Sequence, residues 1–151
     1  MLEPLGPQDI TDVMRLERLE GFDAFIGRFE ADEHAAELAS PGSRYLGWRE
    51  GSHLEGFVII QAFDAADRVV RLRRIAVERP GQGVGTRLLR AAVGWLFETT
   101  DAAAVDLHVR PGNDRARAVY LREGFEPKGV IEGGSEEMIL TRETWAATPR
   151  P

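Results

Sequence analysis

The 151-residue chain contains no cysteine. That excludes a disulfide framework, a thiol nucleophile and a thiolate metal site. Lysine is almost as scarce: of 19 basic residues only Lys128 is a lysine. Beside abundant alanine and glycine, this arginine bias is the compositional mark of a GC-rich bacterial genome. No run is long and apolar enough to span a bilayer, and the N-terminal MLEPLGPQDITDV carries acids and prolines where a secretion signal has a basic start and an apolar core. A cytoplasmic protein with no membrane partner is expected. The net charge of -6 has the wrong sign for neutralising phosphates, so nucleic acid is not expected as a partner.

What is present suits one globular domain. At 43% hydrophobic residues the chain can bury a core of its own. We place a single domain over 1–145 and a frayed tail over 146–151, and expect the last ten residues to lack order. The charges are unevenly spread. Acids dominate the first fifty residues (Glu17, Glu20, Asp23, Glu30, Asp32, Glu33, Glu37), whereas arginines gather from Arg68 to Arg90. The first region suits a cationic partner and the second a polyanion.

Pro7 and Asp9 open a helix with Ile10, Val13 and Met14 on one face. Shorter helical pieces are expected at Phe22 to Phe29 and Asp32 to Ala39, ending at Ser40-Pro41-Gly42. Strands at Arg44 to Arg49, Leu54 to Phe63 and Arg68 to Val77 make an antiparallel meander. A helix follows in which Leu88, Leu89, Ala92, Trp95 and Leu96 share the face that lies on a sheet. Next come a strand at Ala104 to Val109, a helix at Asn113 to Arg122, and strands at Phe125 to Ile131 and Glu136 to Thr141.

Between the third strand and the long helix lies Pro80-Gly81-Gln82-Gly83-Val84-Gly85-Thr86. Glycines there allow close backbone approach and positive φ, and the helix start supplies free N–H groups and a positive dipole end. A diphosphate fits such a site. A dinucleotide fingerprint needs glycine where Thr86 stands, and a Walker loop needs Gly-Lys before Ser or Thr, so both match poorly. Taken alone, the loop is also readable as a packing turn, the lesser of the two readings. Downstream, Asn113, Arg117 and Tyr120 share one helix face, with Asn113 as an N-cap and Gly124 as the stop. By itself this segment reads as a capped helix with a core tyrosine.

Together the two segments resemble the GNAT family of N-acetyltransferases. Its loop motif is Gln or Arg, two variable residues, Gly, any residue, then Gly or Ala, the frame held by Pro80 to Gly85; its second signature is Asn, Ala three on, Tyr seven on, then Gly-Phe, held by Asn113, Ala116, Tyr120, Gly124 and Phe125. Pro80 is a departure, because proline has no N–H to donate; Arg79 is a partial substitute. The resemblance is close over Arg68 to Lys128 and rests on element order before that. It implies an α/β (α+β) fold with a mixed, mostly antiparallel sheet flanked by helices, and acetyl-CoA as cosubstrate with coenzyme A as product. The N–H groups of Gln82, Gly83, Val84, Gly85 and Thr86 would hold the diphosphate. The strand end at Ile75, Ala76 and Val77 would pair with the pantetheine arm. Asn113 and Arg117 would lie along that arm, and Tyr120 beside the thioester sulfur as general acid. Family members often dimerise, so a homodimer is an expected assembly.

Direct transfer to a primary amine also needs a base. Family members often carry Glu or His at the positions of Arg71 and Arg73, which stay protonated here. Protein N-terminal acetyltransferases of the family carry a glutamate twelve residues before the tyrosine; here His108 stands there, in Leu107-His108-Val109-Arg110. His108 shares a strand face with Asp106, which would orient it; the alternative is an ordinary exposed histidine. Glu33 and His34 read either as solvated helix surface or as acceptor-side groups. A small-molecule, amino-acid-like or protein N-terminal amine is the expected acceptor, and no metal is implied. A non-catalytic acyl-CoA-binding domain and a nucleotide-binding module are the competing readings.

Overall fold

The structure, a computed structural model, describes residues 1–19 and 29–148. The helical piece expected over Phe22 to Phe29 therefore lies, except for Phe29, outside the described residues. The chain runs β1 (Leu2–Pro4), a 3-10 turn (Pro7–Asp9), α1 (Ile10–Glu17), α2 (Ala31–Ala39), β2 (Arg44–Glu50), β3 (His53–Gln61) and β4 (Val69–Val77). It continues through α3 (Val84–Thr99), β5 (Ala104–Val109), α4 (Asp114–Arg122), β6 (Glu126–Val130), β7 (Glu136–Thr141) and α5 (Arg142–Ala147). The meander and the later elements fall where their periodicity predicts. β1 is additional: the apolar start pairs Leu2 with Trp48 and Pro4 with Leu46 at the sheet edge, where proline's missing donor costs no ladder bond.

The seven strands form one sheet in the order β1-β2-β3-β4-β5-β7-β6. All neighbours are antiparallel except β4 and β5. One face is covered by α3, whose Leu88, Leu89, Ala92 and Leu96 are buried against Val58, Ile60, Leu72 and Leu107. On the other face α1 sets Val13 and Leu16 against Tyr45, Phe57, Ile59 and Ala76. β3 reads Phe57-Val58-Ile59-Ile60 because both of its faces are covered, so apolar residues run continuously rather than alternating.

The sheet does not close evenly. β4 and β5 pair only at Val69 with Ala104, Val70 with Val105 and Arg71 with Asp106. β5 then continues along β7 as far as Val109, while β4 continues along β3 to Val77. β4 also carries a bulge, because Ile59 pairs with Arg74 and Ile60 with Leu72, leaving Arg73 as the extra residue. A bulge bends its strand and adds twist. The two parallel strands consequently diverge beyond Arg71 and leave a wedge between them.

The expectation of a disordered last ten residues is corrected over Arg142–Ala147, which form α5. Helix propensity alone misses it, because its anchor is tertiary. Arg142 donates to three backbone carbonyls, of Ala102 at 2.8 Å, Phe97 at 2.7 Å and Thr100 at 2.7 Å. These lie at and after the C-terminal end of α3, where a cation also meets the negative pole of the helix dipole. Trp145 stacks on Phe97 at 5.1 Å. Arg142→Ala should therefore lower unfolding free energy by about 2–3 kcal/mol, the usual scale for losing charge-assisted hydrogen bonds. Urea denaturation measures this, and an unchanged midpoint would contradict the anchoring role.

Candidate active site

The wedge is the mouth of a cavity of about 830 Å³. Its walls are β4 from Arg71 to Ile75 with Val77, β5 from Leu107 to Val109 with Arg110, the loop residues Pro80, Gly83, Gly85 and Thr86, and α4 with Asn113, Ala116, Val119 and Tyr120. Glu78 donates its N–H to Glu55 of β3. By strand alternation Ala76 also turns its main-chain groups toward β3, and Ile75 and Val77 turn theirs toward the wedge. The Ala76 side chain is buried in the α1 core. It is thus the member of the expected strand set that is directed away from the cavity.

At one end of the wedge the glycine loop becomes α3. Gly81 and Gly83 adopt φ of 86° and 82°, in the left-handed region that favours glycine. Gly83 is the N-cap, and the first backbone bond of the helix is Arg87 N–H to Gly83 O at 3.1 Å. The N–H groups of Val84, Gly85 and Thr86 therefore have no intrahelical acceptor. Together they form an anion cradle on the positive end of a sixteen-residue helix. Val84 sends its side chain into the core, and Gln82 is exposed outside the cavity lining. For both, the main chain alone bears on the cradle.

Arg115, which the sequence reading did not single out, reaches this loop from α4. A Cβ on Gly81 would lie 2.5 Å from its Nη2, and one on Gly83 would lie 3.4 Å from Nη1 of Arg87. The glycines thus leave room for two guanidinium groups beside the cradle. Arg115 also lines the cavity. Backbone donors, a helix pole and these cations fit a coenzyme A diphosphate even though Pro80 contributes no N–H.

On α4, Asn113 caps the helix by accepting from Ala116 N–H at 3.4 Å and faces the cavity. Tyr120 is buried, packs edge-on to Phe125 at 5.6 Å and also reaches the cavity. Burial pushes its phenol up to about 12, so the hydroxyl keeps its proton at neutral pH. Arg117 departs from expectation. It pairs with Glu136 of β7 at 2.6 Å and is absent from the cavity wall, because the sheared hairpin brings an acid within reach of that side of α4.

At the narrow end of the wedge, Arg71 donates to both oxygens of Asp106 at 2.8 and 2.9 Å. Burial would raise the Asp106 carboxyl, but the Arg71 hydrogen bonds and charge hold it below its usual value. Asp106 is thereby committed to Arg71. Asp106 also interacts with Glu137 and with His108, and Glu137 stands directly opposite His108 on β7. His108 itself is exposed and lines the cavity. Ligand atoms of Asp106, His108 and Glu137 lie within 4.8 Å of one another, and both oxygens of Asp106 already accept from the Arg71 guanidinium.

The reading of His34 as solvated helix surface is corrected. His34 is fully buried, with Nε2 2.7 Å from Glu17 Oε1 and Nδ1 2.7 Å from the Tyr45 hydroxyl. Arg74 donates to the other oxygen of Glu17 at 3.1 Å. Burial raises the Glu17 carboxyl, and the His34, Phe29 N–H and Arg74 contacts more than reverse this. Glu33 is exposed and caps α2 by accepting from Glu30 N–H at 2.9 Å.

Comparison with known proteins decides the family. The model of the acetyltransferase (GNAT) family matches residues 10–125. This chain belongs to the GNAT acetyltransferase family. Its GNAT relatives include the N-alpha-acetyltransferase RimI of Mycobacterium tuberculosis, 35% identical over 97 residues that cover 62% of this chain and 59% of that protein. An aminoglycoside N(6')-acetyltransferase of Serratia marcescens is 34% identical over 73 residues, 46% of this chain and 36% of that protein. These matches therefore span from about a third to under two thirds of the relatives' own length. Among solved GNAT structures, an aminoglycoside acetyltransferase in complex with coenzyme A and kanamycin superposes with a TM-score of 0.83 at 19% identity, covering 98% of both chains. That likeness establishes the shared fold.

The GNAT frame makes the Arg115 placement testable. Arg115→Ala should weaken coenzyme A binding about tenfold, the scale of one charge-assisted contact to phosphate. Titration calorimetry of both proteins checks this, and equal affinities would remove Arg115 from the cradle.

Proposed function

We propose that the chain is an acetyl-CoA-dependent N-acetyltransferase that passes acetyl directly to a primary amine. The observation that carries this reading is the wedge between β4 and β5, with an anion cradle at one end and the Tyr120 hydroxyl on its wall. Bound there, acetyl-CoA supplies an acetyl group activated as a thioester. The cradle N–H groups and Arg115 hold phosphate, and the wedge-facing main chain of Ile75 and Val77 offers strand-like pairing to an amide-bearing arm.

The transfer forms a C–N bond and breaks a C–S bond. One proton leaves the amine and one is needed by the departing sulfur. His108 takes the amine proton, directly or through water, from its exposed place on the β5 wall. Tyr120 supports the sulfur. With its phenol at about 12 it is held as a hydrogen-bond donor, and proton delivery completes as negative charge grows on sulfur. Without cysteine, no cysteinyl acyl-enzyme forms, so amine and thioester meet in one ternary complex. The bacterial relatives and the arginine-rich composition support a bacterial source, with a cytoplasmic setting and a homodimer as the location and assembly to look for.

One observation favours a second reading as a non-catalytic acyl-CoA-binding domain: β4 carries Arg71 and Arg73 where a base is common. Two measurements separate them. Acetyl-CoA and coenzyme A, but not NAD, should raise the melting temperature, since a ligand at a hundred times its Kd adds about 2.7 kcal/mol. No shift would return the glycine loop to a packing turn. With an amine acceptor in hand, His108→Ala should lower kcat by about 100-fold at little change in acetyl-CoA affinity. Unchanged turnover at saturating amine would end the role of His108.

A further inference from the structure

We infer that the acceptor carries a carboxylate close to its amine and that Arg73 binds it. This rests on the acetyltransferase reading and specifies its substrate class. Asp114, at the start of α4, is the carboxylate among the described lining residues; the remaining polar wall away from the loop is Gln61, Arg71, Arg73, Arg74, His108, Arg110 and Ser135, a set with several guanidinium groups. Two of those charges are spent. Arg71 is matched by Asp106 and Arg74 by the buried Glu17. Arg73 has no acidic partner among the described residues, and the bulge turns it out of the β3–β4 ladder to an exposed place on the wall.

Its guanidinium is also held in position. Arg73 Nη1 donates to Gln61 Oε1 at 3.4 Å, and its Cζ lies 5.3 Å from the Phe29 ring. The Gln61 amide is itself oriented, because its Nε2 donates to Glu37, which also accepts from Ser43. The chain Ser43, Glu37, Gln61, Arg73 therefore fixes one edge of a planar cation whose remaining N–H groups have no partner among the described residues and suit a two-toothed carboxylate contact. A polycation entering here would meet unmatched like charge, whereas an amino acid or short peptide would have its anionic group neutralised. Arg110 on the opposite wall, also without an acidic partner among the described residues, adds charge of the same sign.

The test uses matched acceptors: alanine, phenylalanine and glutamate, each against its α-carboxamide, with spermidine as the polycation comparator. Release of coenzyme A thiol gives kcat/KM, and the acetyl-CoA melting shift is recorded for each protein. The wild type should favour at least one acid over its amide by about tenfold or more, mainly through KM, the size expected for one charge-assisted pair. Arg73→Gln should abolish the preference while keeping the acetyl-CoA shift, and Arg73→Lys should retain part of it. With the shift intact, equal use of acid and amide, better use of spermidine, no turnover of any acid, or a preference that survives in Arg73→Gln each overturns the inference. Absence of the shift in the wild type overturns the acetyltransferase reading and this inference with it.

Discussion

The Arg71–Asp106 pair sits at the last rung that β4 and β5 share, and the geometry of the site follows from what happens on either side of it. Below the pair, ladder bonds and a two-toothed ion pair hold the strands in register. Above it, the extra residue at Arg73 bends β4 along β3 while β5 follows β7. Parallel strands left unpaired in mid-sheet expose main-chain donors and acceptors that would be costly if sealed from water. The wedge keeps them in contact with a cavity, where a strand-like ligand can satisfy them. A buried aspartate with no partner would be equally costly, so the guanidinium also permits a carboxylate at the vertex.

The electrostatics divide along the same line. A chain of net charge -6 nevertheless builds an arginine-rich cleft, because the acids are spent elsewhere: Glu17 under Arg74, Glu136 on Arg117 and Glu123 on Arg90. Arg117 and Arg90 are tied to acids in this way, whereas Arg115 at the loop and Arg73 at the bulge, with no acidic partner among the described residues, line the cavity. Net charge is therefore a poor guide to what this cleft attracts, and the pairing pattern is a better one.

Periodicity revealed much of this fold, since β5 and β7 each have alternating or buried patterns that end where the structure ends them. Glycines at 81, 83 and 85 before an amphipathic helix likewise announced an anion cradle, because that geometry is local. What stayed hidden is tertiary. Nothing in Arg142-Glu143-Thr144 signals three carbonyls waiting at the end of α3. Arg117 and Arg115 lie two residues apart on one helix; only the β7 hairpin and the Gly81 gap decide that the first turns outward to Glu136 and the second inward to the loop. His34, set among acids on a short helix, reads as surface until Glu17 and Tyr45 are seen on either side of its ring.

That buried histidine bears on the acceptor side indirectly. Glu17 closes α1, and Phe29 precedes α2; Glu17 accepts from Phe29 N–H at 3.2 Å and Arg18 donates to Phe29 O at 2.8 Å. With His34 on Glu17 and Arg74 beneath it, the two ends of the connection between the helices are fastened to each other and to β4. Burying such a network is not an efficient source of stability, since apolar residues of similar volume would serve as well. Its consequence is geometric. It places the Phe29 ring over Arg74 at 4.4 Å and within 5.3 Å of Arg73, so the cation left unmatched at the bulge is supported by the charges that are fully matched beneath it.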